Sequence, residues 1–219
     1  MSPLNKSERV PLLCYVTDRR SLLAGETLLH KIAAAATAGV DWIQVREKDL
    51  PGKELAQLTQ DALRRAANSR TRILVNDRLD VALAMRVDGV HLGEKSLPLE
   101  EARRLANGFR RKEDFLIGVS CHSLESAKEA EQGGADYLFF GPVFVTPAKA
   151  AYGAPQGIDR LAEVCRTVSI PVLAIGGITL NNVAECLSAG ASGIAAIRLF
   201  QDAADLATVV RSLRRLSSH

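Results

Sequence analysis

The chain predicts an α/β protein built as a closed (β/α)8 barrel. Eight short β-branched or apolar runs recur along its 219 residues, and a stretch with helical spacing lies between successive runs. Nearly every run ends in polar, acidic or glycine residues rather than fading into a loop. In such a barrel the C-terminal strand ends carry the chemistry, because the packed interior cannot host a ligand. The same repeat therefore predicts the architecture and the rim where an active site lies.

The first run, Leu12–Val16, ends in Thr17-Asp18, and helical spacing follows over 27–38. Trp42–Arg46 leads through Glu47-Lys48 to a helix over 52–68. There Leu55, Leu58, Thr59, Ala62, Leu63 and Ala66 form one stripe, with Lys53, Gln60, Arg64 and Arg65 largely off it. Arg72–Val75 ends in Asn76-Asp77 before a helix over 78–86, and Gly89–Leu92 ends in Gly93-Glu94 before one over 97–108. Phe115–Val119 ends at Ser120, and Ser123, Glu125 and the alanines 127 and 130 mark a helix start over 123–133. Tyr137–Phe140 ends at Gly141, and the next helical spacing begins at 157 and runs to 168. Pro171–Ile175 ends in Gly176-Gly177 before 179–189, and Gly193–Ile197 ends at Arg198 before a last helix over 201–216. Gly39, Gly133-Gly134 and Gly190 fall just past three of these helices, where a left-handed cap favours glycine. Each is followed by a near-repeat, AGVDWIQV, GGADYLFF or AGASGIAA, with MRVDGVHL a looser fourth; a recurring turn into a barrel strand accounts for them without function.

Hydrophobic residues at 47% and charged residues at 24% fit one globular domain spanning 1–219, with no boundary or low-complexity tract. A formal charge of +3 argues against nucleic acid or a membrane as partner, while leaving room for a local cationic site. The four cysteines are dispersed without CxxC spacing; Cys14, Cys121 and Cys165 sit in or beside apolar segments and read as core residues of a reducing compartment. Met1–Val10 carries no apolar signal core and no run reaches membrane-span length, so the expectation is a soluble, cytoplasmic protein.

Four constellations could carry chemistry. After strand two, Gln44, Arg46 and Lys48 alternate with Val45 and Glu47, so an amide, a guanidinium and an ammonium share one side. Facing inward they form a clamp suited to a diphosphate; the alternative is an ion-pair layer with Glu47 or Asp77. After strand three, Asp77 suits Mg²⁺, which often takes one or two carboxylates, and Asn76-Asp77 equally suits a helix cap. After strand five, His122 is placed for acid–base work, while Ser120 or Ser123 could simply cap; His91, inside strand four, is expected to be packed and structural. After strands seven and eight, Gly176-Gly177, Gly193 and Ile197-Arg198 suit a phosphate cradle. One connection, GPVFVTPAKAAYGAPQG from Gly141 to Gly157, is long and rich in Pro and Gly; with Thr146 and Lys149 in it, it reads as a ligand-binding loop.

Taken in order, YVTD at 15–18, VREK at 45–48, VNDR at 75–78, GVHLG at 89–93, IGVSCHS at 117–123, ADYLFFGPVF at 135–144 and PVLAIGGIT at 171–179 resemble the thiamin phosphate synthase family. That family includes the related thiazole tautomerases. The resemblance implies coupling of hydroxymethylpyrimidine diphosphate to thiazole phosphate with release of pyrophosphate, and a homodimer. It implies that Gln44, Arg46, Lys48 and Asn76 bind the pyrimidine diphosphate, that Asp77 ligates Mg²⁺, and that Ser120 and Lys149 lie near the leaving pyrophosphate. Thr146, Gly177 and Ile197 match the thiazole-phosphate pocket. The groups expected nearest the reacting atoms are Arg46, Lys48, Ser120 and His122.

Three positions depart from the family pattern. Ser96 stands where a second metal-binding Asp is usual, with Glu94 and Lys95 beside it; Ala148 replaces a loop Thr; Arg198 replaces a Ser. Ser96 is thus expected to be a weak metal ligand. Arg198 is expected either to contact a phosphate or to turn outward to Asp202 or Asp205. Ser96 and His122 keep a thiazole tautomerase as the second reading, since the tautomerases lack parts of the metal site and use a histidine after strand five. A non-catalytic thiamin-phosphate binder is the third.

Overall fold

The computed structural model of the chain describes residues 11–109, 111, 114–146 and 154–216. Its strands are β1 (Leu12–Val16), β2 (Trp42–Val45), β3 (Arg72–Asn76), β4 (Gly89–Leu92), β5 (Leu116–Cys121), β6 (Tyr137–Phe140), β7 (Val172–Ile175) and β8 (Gly193–Ala196). All pair in parallel in chain order, and β8 returns to β1 through pairs such as Cys14 with Ala195, closing a (β/α)8 TIM barrel. The helices are α1 (Leu28–Ala38), α2 (Gly52–Ala66), α3 (Leu79–Ala84), α4 (Leu99–Asn107), α5 (Leu124–Gln132), α6 (Gly157–Thr167), α7 (Val183–Ser188), α8 (Arg198–Gln201) and α9 (Leu206–Arg215).

Strand alternation divides the core in two. Leu13, Ile43, Val45, Ile73, Val75, Ile117, Val172 and Ile194 point out against the helices and join one large cluster. Cys14, Val16, Trp42, Leu74, Leu116, Tyr137, Phe139, Leu173 and Ala195 fill the barrel interior. The interior is solid at its base and middle, so ligands are confined to the mouth formed by the strand C-termini.

The near-repeats are architectural. In three of them the aspartate just before an even-numbered strand accepts a backbone N–H from the odd-numbered strand beside it. Asp41 takes Leu13 N at 2.7 Å, Asp88 takes Ile73 N at 2.8 Å and Asp136 takes Ile117 N at 2.6 Å. Arg214 and Arg103 then pair with Asp41 and Asp136. Gly39 adopts the left-handed cap that the sequence predicts after α1, and the second glycine of the 133–134 pair takes φ +86.

The end of the chain differs from its sequence-based reading. In place of one helix over 201–216 there are two, α8 and α9, because Asp205 accepts from Thr208 N at 3.0 Å and starts a new helix. Strand β8 stops at Ala196, and Ile197, with φ −92 and ψ −74, turns the backbone so that Arg198 opens α8 instead of ending a strand.

Candidate active site

The pleat that puts Trp42 inside the barrel also puts Gln44 inside, one layer nearer the mouth. Its side chain is buried, with 2% exposure, and its Nε2 donates to Asn76 Oδ1 at 2.8 Å. Its Oε1 is buried without a hydrogen-bond partner among the described residues. A buried carbonyl oxygen left unpaired costs about 1–3 kcal/mol, so the atom is poised for a donor arriving from the mouth. Asn76, the last residue of β3, is spent on Gln44.

Arg46 and Lys48 lie just past β2, Arg46 half-buried and Lys48 exposed in a turn. Among the described residues neither has an ion-pair partner, and the expected layer with Glu47 or Asp77 is not formed. Glu47 instead turns away beneath the β1–α1 loop. It accepts from Thr17 Oγ1 at 2.6 Å, from Arg19 N at 3.2 Å and from the Arg19 guanidinium at 3.2 Å. Arg19 also forks onto Asp49 at 2.6 and 2.7 Å, and this guanidinium holds the Asp49 carboxyl down at about 2. Thr17 Oγ1 accepts from Arg46 N at 2.9 Å, so the network reaches the backbone of the cationic clamp. Spacing alone misses it, because Thr17 and Arg19 are about thirty residues upstream in the chain.

Asp77 sits exposed at the mouth with φ +69, a left-handed conformation uncommon outside glycine and stored most often at functional sites. Its N–H donates to His91 O at 2.8 Å, locking the loop to β4. The helix-cap reading fails: α3 is capped at Arg78 and no side chain makes a cap hydrogen bond there. Ser96 Oγ accepts from Gly93 N at 2.7 Å and so belongs to the β4–α4 turn. Among the described residues no three His, Cys, Asp or Glu side chains cluster as a metal cage. The donor set present fits a site of one carboxylate completed by substrate oxygens and water.

Ser120 and His122 flank Cys121 at the end of β5, which extends two residues past its predicted end. Ser120 does not cap a helix; its Oγ lies 2.9 Å from His91 Nε2. Ser123 is the cap of α5, in a reciprocal box with Ser126. His122 is half-buried, its Nδ1 bonded to Gly141 O and its Nε2 3.7 Å from Glu94 Oε1. Burial pushes the Cys121 thiol up to about 11, so the cysteine beside these groups is no thiolate nucleophile at neutral pH. Cys14, Cys121 and Cys165 are buried, as their apolar flanks predict, and Cys186 is buried as well.

Gly176 and Gly177 both have positive φ, and a Cβ on Gly177 would lie 2.7 Å from Phe144 Cβ and Val145 O. The pair lets the β6–α6 loop pack directly on the end of β7, where Val143 N donates to Ile175 O and Phe144 N to Gly176 O. Thr146, half-buried, closes the described part of that loop. Lys149 and Ala148 lie outside the described residues. Ile197 packs on the interior cluster at the mouth, and Arg198 is exposed beside it. Among the described residues Arg198 forms no ion pair with Asp202 or Asp205; Asp205 is engaged with Thr208.

A barrel mouth that joins a buried amide, cations without ion-pair partners among the described residues and an exposed carboxylate suits an enzyme that handles anionic substrates. Comparison with known proteins specifies which. Residues 13–200 match the family model described as thiamine monophosphate synthase. A thiamine-phosphate synthase of Roseiflexus sp. strain RS-1 is 42% identical, covering 90% of this chain and 81% of that one. Another, from Syntrophomonas wolfei, is 39% identical over 92% and 94% of the two chains. The solved structure of thiamine phosphate pyrophosphorylase from Pyrococcus furiosus superposes with a TM-score of 0.82 at 36% identity, covering 95% and 96%. The chain belongs to the thiamine monophosphate synthase family, a family of transferases.

Proposed function

We propose that the chain couples hydroxymethylpyrimidine diphosphate to thiazole phosphate, giving thiamine phosphate and pyrophosphate. The observation that carries this reading is the buried Gln44 Oε1, without a hydrogen-bond partner among the described residues, on the same strand end as Arg46 and Lys48, which form no ion pair among the described residues. An N–H on a bound heterocycle satisfies the first, and a diphosphate on the same molecule satisfies the second. A protein that only isomerises a thiazole has little need for the complete set.

In the reaction the C–O bond of the pyrimidine methylene breaks and its electron pair leaves with pyrophosphate. The thiazole nitrogen then supplies the pair for the new C–N bond. Gln44, held by Asn76, orients the pyrimidine ring. Arg46 and Lys48, with Ser120 and Lys149, stabilise the charge that builds on the leaving group. Thr146, Gly177, Ile197 and Arg198 form the side of the mouth that holds the thiazole phosphate. Asp77, with Ser96, would hold Mg²⁺, which when bound neutralises part of the diphosphate charge. We further propose a cytoplasmic homodimer built on this single barrel domain; no helix among the described residues is long and apolar enough to cross a membrane.

One observation favours the tautomerase as a second reading: the Gly141 carbonyl fixes the His122 tautomer and Glu94 stands beyond it, an arrangement suited to proton transfer. His122→Gln separates the two. Coupling by purified protein, with both substrates and Mg²⁺, is expected to stay within about threefold of wild type, because general acid–base catalysis, worth about 10²–10⁴-fold where used, is not required for C–O ionisation. Loss of coupling in a normally melting variant, or tautomerisation without coupling in wild type, would transfer the assignment.

Ser96→Asp tests the metal side. A second carboxylate is expected to lower the Mg²⁺ concentration for half-maximal rate by about tenfold, in line with the effect of metal-site residues on affinity. Asp77→Ala is expected to raise it, and an unchanged Mg²⁺ dependence in both variants would remove Asp77 from the site.

Arg198→Ser is expected to weaken thiazole phosphate binding by about tenfold, the loss of one charge-assisted contact worth about 1.5 kcal/mol. Titration calorimetry reads this directly. Unchanged or tighter binding would make Arg198 a solvated side chain.

A further inference from the structure

Beneath Ser120 the barrel interior contains a line of polar atoms that the coupling reaction does not itself call for. His91 of β4 and Tyr137 of β6 both point inward, on either side of Gly118 of β5. Gly118 makes the arrangement feasible, since a Cβ there would lie 2.0 Å from the Tyr137 ring. His91, 2% exposed, stacks on Phe139 with ring centroids 4.1 Å apart. Tyr137, fully buried, packs on Trp42 at 4.7 Å. The hydroxyl of Tyr137 lies 3.1 Å from His91 Nδ1, and the Oγ of Ser120 lies 2.9 Å from His91 Nε2. A serine, an imidazole and a phenol thus run from the mouth into the closed interior.

The proton positions follow from the burial. Burial keeps the phenol neutral, well above the ordinary tyrosine range, so it always holds one proton. A buried O–H requires an acceptor. Among the described residues that acceptor is His91 Nδ1. With Nδ1 accepting, the imidazole proton resides on Nε2 and is donated to Ser120 Oγ. The serine oxygen is then an acceptor on its interior side, and its own proton is left for an atom at the mouth. Without the phenol, Nδ1 could take the ring proton, Nε2 would accept, and the serine proton would be drawn inward.

We propose that His91 and Tyr137 are positioning residues, a relay that fixes the hydroxyl of Ser120 as a hydrogen-bond donor facing the barrel mouth. An oxygen anion is the group such a donor suits, and in the coupling reaction that is the departing pyrophosphate. This last step rests on the reading of Ser120 as a pyrophosphate contact; the direction of the relay does not. It also revises the sequence-based view of His91, which is packed in the core as expected but is bonded at both nitrogens.

Two measurements test the relay. The first is the ¹⁵N spectrum of the imidazoles of the full-length protein at neutral pH, with His91 assigned by its loss in His91→Asn. Wild type is expected to show the Nε2–H tautomer at His91, and Tyr137→Phe to show a shift toward Nδ1–H. An Nδ1–H tautomer or an imidazolium in wild type overturns the proposal. The second is coupling kinetics. Tyr137→Phe is expected to lower kcat about tenfold, with KM for both substrates within about twofold, and to weaken inhibition by inorganic pyrophosphate about tenfold. The double variant with Ser120→Ala should be no slower than Ser120→Ala alone, because residues acting through one group are not additive. Multiplying effects, or a loss that tracks the melting temperature, would make Tyr137 a packing residue and overturn the relay. If wild type makes no thiamine phosphate the coupling assignment fails, and the tautomer spectrum still decides the relay.

Discussion

Arg46→Ala is expected to lower kcat/KM for coupling by about 10²–10³-fold, the usual cost of deleting one preorganised donor to developing negative charge. The magnitude rests on how the side chain is placed. Several arginines in the described chain are committed: Arg19 to Glu47 and Asp49, Arg78 to Asp80, Arg103 to Asp136, Arg214 to Asp41. Arg46 is half-buried at the mouth with no ion-pair partner among the described residues, and its backbone N–H is held at 2.9 Å by Thr17. A cation held in place yet unpaired is available to a diphosphate in the transition state and costs little to redirect. Most of the loss should fall on kcat, because charge grows on the leaving oxygens as the C–O bond breaks. Arg46→Lys should restore only part, since an ammonium lacks the planar fork that grips two phosphate oxygens. The melting temperature should barely move, because no buried partner is orphaned. A kcat/KM within about threefold of wild type for Arg46→Ala would remove Arg46 from the transition-state contacts.

The barrel was legible in the sequence because both faces of each strand are buried. Apolar runs such as Leu12–Val16 and Tyr137–Phe140 then stand out as unbroken blocks, and their observed bounds match the predicted ones. The break between α8 and α9 was legible only in part. Apolar spacing carries straight across it, and the signal lies in Asp205 followed by Thr208, a cap pattern that spacing does not score. The candidate site residues could be named from strand ends, but their partners could not. Ser120 and Ser123 read alike in the sequence, yet one caps a helix and the other meets an imidazole from the neighbouring strand. His91 and Tyr137 are forty-six positions apart, and only the register that sets Gly118 between them brings them together. Polar contacts across a barrel depend on register and layer, and neither is encoded in local periodicity.

Glu47 is the other place where that limitation matters, and its replacement should have the largest effect on stability. The pleat at the end of β2 sends Arg46 and Glu47 to different sides, so the two adjacent residues do not pair. The Glu47 carboxylate is buried, with its side chain 2% exposed, and it satisfies the Thr17 hydroxyl, the Arg19 N–H and one Arg19 guanidinium nitrogen. Glu47→Ala leaves the Thr17 hydroxyl without its acceptor and the Arg19 N–H beneath an empty space. Arg19 itself keeps Asp49 and is a third exposed, so the charge left behind is not stranded. That places the cost below the value for a fully buried broken pair, at about 2–3 kcal/mol. For a chain of this size the melting temperature should fall by roughly 5–10 °C. Coupling should fall about tenfold as well, because Thr17, no longer anchored, ceases to hold Arg46 N and the clamp loses its fixed geometry. Glu47→Gln retains an acceptor for Thr17 and should lose stability while keeping most activity. Thr17→Val should do the reverse, cutting the tie to Arg46 with a smaller stability cost, and Thr17→Ser should restore it. If Glu47→Ala melts within about 2 °C of wild type, the network contributes less than about 1 kcal/mol and Arg46 is held by its own loop instead.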